Sequence, residues 1–244
     1  MRSRLDVEMA RRGLAASREI AQRLIMAGRV RVNSRPAAKP DLKVEATAEI
    51  AVVGGVAEYA SRGAYKLLAA IDNFNVRVEG RLALDVGAST GGFTDVLIRR
   101  GASHVIALDV GYGQLADRLR RDARVTVIDR TNIRNVAAVD LPYQPDLIVV
   151  DVSFISLRLV LPKLKILAAV PAEIIALVKP QFEVGKGKVG KGGVVRNELL
   201  RAQTLADVSE FAKAIGLELV GSIESPIAGA AGNLEYLEIF RFSG

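Results

Sequence analysis

The chain has 244 residues, half of them hydrophobic, with no Cys and no Trp; it is long enough for one α/β domain and a small appended module, and it excludes disulfides, thiolate metal ligands and a cysteine nucleophile. The formal charge of +7 lies wholly in the first 44 residues, which hold 11 Lys and Arg against 4 Asp and Glu, while the remainder is balanced at 23 of each; a basic module joined to a neutral one is the pattern of a nucleic-acid-binding attachment. Met1 to Ala10 has no apolar core, so no signal peptide is expected, and the most apolar stretch, 147–178, is cut by Asp151, Arg158, Lys163, Lys165 and Glu173, which excludes a membrane-spanning helix there.

Leu5 and Met9, four apart, predict a short amphipathic helix ending at Gly13. Ser17 is the expected N-cap of a second helix, with Glu19 in its first turn. Ile20, Ala21, Leu24 and Ile25 form its apolar face, Arg18 and Arg23 its exposed side, and Gly28 closes it. Arg29-Val30-Arg31-Val32 predicts a strand with one basic and one apolar face. Asn33-Ser34 is a turn signal, and Ile50 to Val53 predicts another strand. Pro36 and Pro40 are expected to prevent regular structure. Residues 1–57 thus predict a small α+β domain, 58–62 a linker, and 63–244 an α/β domain, with Arg62-Gly63-Ala64-Tyr65-Lys66 opening the helix that leads into its sheet.

Leu82 to Val86 is an apolar run ending in Asp85-Val86-Gly87, followed by Ala88-Ser89-Thr90-Gly91-Gly92-Phe93 and a helix from Thr94 to Arg100. Strand, glycine-rich turn and helix open a nucleotide-binding α/β fold. The dinucleotide fingerprint G-x-G-x-x-G is absent, because Ala88-Ser89 follows Gly87. The spacing Gly87-x-x-x-Gly91-Gly92 looks instead like the S-adenosylmethionine loop of class I methyltransferases, whose cofactor has no pyrophosphate to cradle. His104 to Leu108 predicts the second strand, with Asp109 at its tip to receive the ribose hydroxyls. Asp85, Asp109 and Asp129, at or just past successive strand ends, are the candidate cofactor residues together with Gly87, Gly91, Gly92 and Phe93.

The strands 146–150 and 174–178 end in Asp151-Val152-Ser153-Phe154 and Lys179-Pro180. Ligands of a parallel α/β sheet bind outside the carboxyl ends of its strands, so Asp151 and Lys179 are expected in the cofactor's crevice. Gly185 to Lys191 satisfies G-x-x-x-x-G-K, but Gly192 stands where a phosphate loop needs Ser or Thr for magnesium, which rejects an NTPase. That Gly/Lys-rich loop is expected to close over RNA phosphates or to remain a surface loop. Asn233 to Leu237 opens the final strand. The single His, His104, is expected to be structural.

Two resemblances follow from these residues. Arg4-Leu5-Asp6, Gly13, Ser17-Arg18, the run Ala21 to Gly28 and Arg29-Val30-x-Val-Asn33 resemble the RNA-binding domain named after a small-subunit ribosomal protein. That resemblance implies that Arg4, Arg18 and Lys39 face RNA phosphates, contacts that position without reading sequence. Nearly the whole chain resembles the TlyA family, historically haemolysin A, which are cytidine 2′-O-methyltransferases of ribosomal RNA with a catalytic domain similar to FtsJ. The matching pieces are Ser61 to Leu67, DVGASTGGFTD from Asp85 to Asp95, DVSFISL from Asp151 to Leu157, VKPQFE from Val178 to Glu183, and Ser225-Pro226-Ile227 to Tyr236.

The resemblance implies a Rossmann-like class I methyltransferase fold, a seven-stranded sheet with its last strand antiparallel, behind the small RNA-binding domain. It places a catalytic set on Lys66, Asp151, Lys179 and Glu235. A ribose hydroxyl is a poor nucleophile, so a group must take its proton while the sulfonium methyl lies in line. Lys179 is the expected base, Asp151 orients it, and Lys66 and Glu235 fix the hydroxyl. S-adenosylmethionine is the expected cofactor, ribosomal RNA or ribosomal subunits the partner, and no metal or membrane is required. A cytoplasmic monomer is expected. The alternatives are a non-catalytic RNA-binding or ribosome-assembly factor and a membrane-lytic haemolysin. The first has no need of both lysines, and the second lacks a long cationic amphipathic helix.

Overall fold

The computed structural model describes residues 2–15, 17–26, 28–37, 39–52, 59–185, 187–229 and 232–244. Val53, Glu58 of the expected linker, Lys186 and the side chains of Arg23 and Lys191 lie outside them. The chain forms two compact units, Met1–Glu58 and Tyr59–Gly244. Tyr59 to Arg62, expected as linker, count with the second unit: the Ala60 N–H donates to Asp95 Oδ2 at 2.8 Å.

The first unit runs β1 (Arg2–Arg4), α1 (Leu5–Arg11), α2 (Arg18–Met26), β2 (Val30–Val32), β3 (Arg35–Pro36), β4 (Lys43–Glu45) and β5 (Ile50–Val52). The spacing of apolar residues buries Leu5 and Met9 of α1 against Ala21 and Ile25 of α2, with Val30, Val44 and Ile50 beneath them. Ser17 Oγ accepts the Ile20 N–H at 3.2 Å, the expected cap. Asn33 and Ser34 take left-handed φ of 48° and 66° and turn β2 back into β3. Pro36 does not break the structure as expected. It pairs with Arg31 on the edge of the three-stranded sheet β3-β2-β5, where a missing N–H costs no ladder bond. β1 and β4 form a separate antiparallel pair.

The second unit continues with α3 (Ala64–Phe74), β6 (Leu82–Val86), α4 (Gly92–Arg99), β7 (His104–Leu108), α5 (Asp117–Arg120), β8 (Val125–Ile128), β9 (Leu147–Val150), α6 (Leu161–Leu167), β10 (Ala172–Val178), α7 (Pro180–Glu183), α8 (Glu198–Ala214), β11 (Glu218–Glu224) and β12 (Tyr236–Phe242). Its seven-stranded sheet has the order β11-β12-β10-β9-β6-β7-β8. β6 to β10 are mutually parallel, and β12 runs antiparallel between β10 and β11, the architecture implied by the resemblance.

The central strands are continuous apolar runs because helices cover both faces. On one face Leu84, Ile106, Ile148 and Ile174 pack with residues of α6 and α8. On the other, Ala83, Val105, Val149 and Ile175 pack with α3 and α4. Truncating Leu84 to Ala would cost roughly 2–5 kcal/mol at such a site. The strand order reverses at β6, with β7 on one side and β9 on the other, so the crevice opens at the carboxyl ends of β6 and β9.

Candidate active site

Gly87 follows β6 with φ +88°, and a Cβ there would run into the backbone carbonyl of Asp151. The glycine lets the first turn lie directly against the tip of β9, with the Asp151 N–H donating to Val86 O at 2.9 Å. Ser89 and Asp109 close the other side: Asp109 Oδ2 accepts the Ser89 N–H at 2.8 Å and Oδ1 accepts the Gly111 N–H at 2.7 Å. These residues border a cleft of about 1210 Å³, also lined by Leu108, Ile133, Asn132, Asp151 and Phe154.

Asp85 is wholly buried beneath this turn. Its Oδ2 accepts the Thr94 hydroxyl at 2.6 Å, and its Oδ1 has no partner among the described residues. Burial, with the charges of Asp151 and Asp109 adding and Thr94 opposing, pushes its carboxyl up to about 7. Asp129 differs from the expectation that it borders the cofactor. Its Oδ2 accepts from Arg120 at 2.9 Å and from the Gly113 N–H at 3.1 Å, and it is not among the residues lining the cleft. Burial raises its carboxyl, and those two donors outweigh burial to hold it below the usual range. Gly91 caps α4 in a left-handed conformation and packs on Leu115 and Leu119.

A smaller recess of about 370 Å³ adjoins the cleft and shares Gly87, Ser89 and Asp151 with it. Lys66, Gly92 and Phe93 line this recess together with Ser61, Arg62 and Gly229. Lys66 Nζ lies 2.5 Å from Glu235 Oε2, and Lys179 Nζ lies 2.6 Å from Asp151 Oδ1. Lys66, Lys179 and Glu235 are 8 %, 8 % and 3 % exposed. The structure thus brings all four residues of the expected catalytic set into two ion pairs, one beside the recess and one at the tips of β9 and β10. Gly229 packs on the Glu235 carboxylate so closely that a Cβ would overlap it.

Ser153, Gln181, Phe154 and Phe182 were not among the expected site residues. Lys179 also donates to Ser153 Oγ at 2.9 Å, and Gln181 Nε2 donates to Glu235 Oε1 at 3.3 Å. Phe154 is 90 % exposed at φ +65°, an outlier for a bulky residue, with its ring 5.1 Å from that of Phe182. In the first unit, Arg4 donates to both oxygens of buried Asp6 at 3.0 Å, and Arg18 Nε donates to its Oδ2 at 3.0 Å. Lys39 is exposed.

The donor set fits the expected cofactor. Asp109 keeps free lone pairs toward the cleft, as a nucleoside's ribose hydroxyls require, while Leu108 and Ile133 offer apolar surface for a base. At the junction of cleft and recess Gly87 contributes backbone alone, beside Ser89 and Asp151.

Residues 59–242 match the family model of FtsJ-like methyltransferases, and residues 3–50 match that of the S4 domain. The chain is 51% identical over 236 residues, 96% of its length and 88% of the other, to the 16S/23S rRNA (cytidine-2′-O)-methyltransferase TlyA of Mycobacterium tuberculosis. A solved structure from Streptococcus thermophilus, described under a hemolysin name, matches at TM-score 0.79 and 40% identity over 99% of this chain and 89% of that one. The fold alone is shared with the N-methyltransferase NodS from Bradyrhizobium japonicum in complex with S-adenosyl-L-homocysteine, at TM-score 0.51 and 15% identity over 72% of this chain and 87% of that one.

Proposed function

The chain belongs to the TlyA family, an FtsJ-like methyltransferase domain following an S4 domain, and we propose that it transfers the methyl group of S-adenosylmethionine to the ribose 2′-hydroxyl of a cytidine in ribosomal RNA. The observation that carries this reading is the two ion pairs of buried lysines, Lys66–Glu235 and Lys179–Asp151, beside the Gly87 turn. A non-catalytic RNA binder has no use for two lysines held out of water, a costly arrangement unless each is paired. A membrane-lytic role is not favoured: among the described residues no helix is long and apolar enough to cross a membrane.

When bound, S-adenosylmethionine supplies a sulfonium methyl that is open to attack by an oxygen. The chain does the rest by holding groups still. Asp109 and the backbone around Gly87 and Ser89 hold the nucleoside end, with Asp85 bracing the turn through Thr94. Lys66, fixed by Glu235, donates a hydrogen bond to the incoming ribose hydroxyl. Lys179, oriented by Asp151 Oδ1 at 2.6 Å, is the base that takes the hydroxyl proton. Gln181 and Ser153 hold Glu235 and Lys179 in line. The S4 domain holds folded RNA by its backbone, and the protein works as a cytoplasmic monomer on ribosomal RNA or ribosomal subunits.

Tritium transfer from labelled S-adenosylmethionine to purified ribosomal subunits tests this, with wild type beside Lys179→Ala and nuclease mapping of the product. Label that resists alkaline cleavage at one cytidine and is lost in the variant supports the reading. Label on a base, or none on either subunit or on free ribosomal RNA, sinks it.

A further inference from the structure

We infer that Glu183 is a positioning residue: its carboxylate latches the loop after β10 to the loop after β9 and so fixes Asp151 and Ser153 against Lys179. Glu183 ends α7, four residues beyond Lys179. Its Oε2 accepts the Ser156 hydroxyl at 2.6 Å and its Oε1 accepts the Leu157 N–H at 2.7 Å. Leu157 is 1 % exposed and opens a short 3-10 turn in which Ser156 Oγ also accepts the Arg158 N–H at 3.2 Å.

The loop from Asp151 to Ser156 is therefore pinned at both ends, by the Asp151 N–H to Val86 O bond and by Glu183. Between the pins, Ser153 meets Lys179 and Phe154 holds its left-handed φ. A bulky residue persists in that conformation only where its surroundings over-determine it. Glu183 does not border the cleft, whereas its neighbours Gln181, Phe182 and Gly185 do, so it acts through the loop it holds. Its two bonds are charge-assisted and short, the stronger kind.

The inference rests on the proposed methyl transfer for one of its two readouts and is independent of it for the other. In the full-length protein, Glu183→Ala is expected to lower kcat about 30-fold, since misplacement by an ångström costs on the order of 100-fold. KM for S-adenosylmethionine should rise as well, but by less than kcat falls, because the loop that Glu183 holds also lines the cofactor cleft. Glu183→Gln keeps an acceptor for Leu157 and an amide for Ser156, and is expected to recover kcat to within about threefold of wild type. Ser156→Ala should add little to Glu183→Ala, because both break one contact. Hydrogen exchange reads the latch without turnover: amides 152–157 should exchange at least about tenfold faster in Glu183→Ala than in wild type. Unchanged exchange in that loop overturns the latch. So does a folded Glu183→Ala enzyme with wild-type kcat, or a kcat loss that Glu183→Gln does not rescue. A wild type without transfer activity whose loop exchange still responds to Glu183→Ala keeps the latch and removes the proposed function instead.

Discussion

Lys66 and Glu235 stand 169 residues apart in the chain and meet at 2.5 Å, with only 10% and 3% of their side chains exposed. A pair this buried is worth less as a pair than the penalty for breaking it, since removing one partner strands a charge out of water. Lys66→Ala or Glu235→Ala should each cost about 3–5 kcal/mol of unfolding free energy. The double variant should recover much of that loss while methyl transfer stays at background. Urea unfolding beside a transfer assay checks both. If the double variant transfers methyl at the wild-type rate, the pair has no part in the reaction.

The glycine-rich turn makes a sharper prediction. Gly87 sits at φ +88° with the Asp151 carbonyl against its Cα, so Gly87→Ala strains the backbone and pushes the β9 tip away at once. Cofactor affinity is expected to fall at least about 100-fold, a loss of on the order of 3 kcal/mol, read by calorimetric titration with S-adenosylhomocysteine. Asp109→Ala removes the acceptor of two backbone N–H groups and should weaken the same titration by about 10-fold or more. Unaltered affinity in Asp109→Ala would falsify its assignment to the ribose.

The turn and the strand-tip residues Asp85, Asp109, Asp151 and Lys179 were legible in the sequence because each depends on a local rule, whereas Lys66 and Glu235 were legible only through the family resemblance. A glycine is needed where φ turns positive, an acid is useful at a strand end, and parallel strands deliver their tips to one edge. Asp129 satisfied the same rule and was diverted by Arg120, nine residues before it, a competition that no strand pattern reveals. Ser153, Gln181 and Glu183 gain their meaning only when two loops fold over one another. The two-residue strand at Pro36 and the β1–β4 pair were too short to show any periodicity, and β1 and β4 lie some forty residues apart in sequence.

Glu238 carries the pH prediction. It is 1 % exposed on β12, accepts the Ser209 hydroxyl at 2.6 Å and leaves Oε2 without a partner among the described residues. Burial, assisted by the charge of Glu183 and opposed by Ser209, pushes it up to about 7 from 4.5. The folded state therefore holds a proton that the unfolded chain has released, and stability falls as pH rises between these two values. The stabilising contribution is complete below pH 4.5 and lost above about 7, amounting to roughly 3 kcal/mol. Glu238→Gln should flatten the decline of melting temperature between pH 5 and pH 8. A variant that melts in parallel with wild type across that range would show that Glu238 is not the titrating group. Asp85, raised in the same direction, should leave a residual slope.

The cations of the first unit divide into two kinds, and RNA binding should distinguish them. Asp6 is fully buried and accepts from Arg4, Gln22 and Arg18. Arg4 is the foremost of the groups that, against the opposing effect of burial, hold its carboxyl far below the usual range. Arg18 and Gln22 thus bind α2 to α1, and Arg4 ties the end of β1 to the same carboxylate, before any phosphate arrives. Arg35, Lys39 and Lys43, by contrast, are exposed and make no ion pair among the described residues. Arg35 and Lys43 border a groove of about 510 Å³ with Arg2, whose charge is shared with Glu45. A phosphate contact contributes about one unit to the slope of log affinity against log salt. Ala substitution at Arg35, Lys39 or Lys43 should each reduce that slope by about one while leaving the melting temperature in place. Arg4→Ala should lower the melting temperature, with the smaller effect on the slope expected of a cation already engaged by a carboxylate. The reverse pattern, a steep loss of slope in Arg4→Ala with none in the other three, would return the phosphate contact to Arg4.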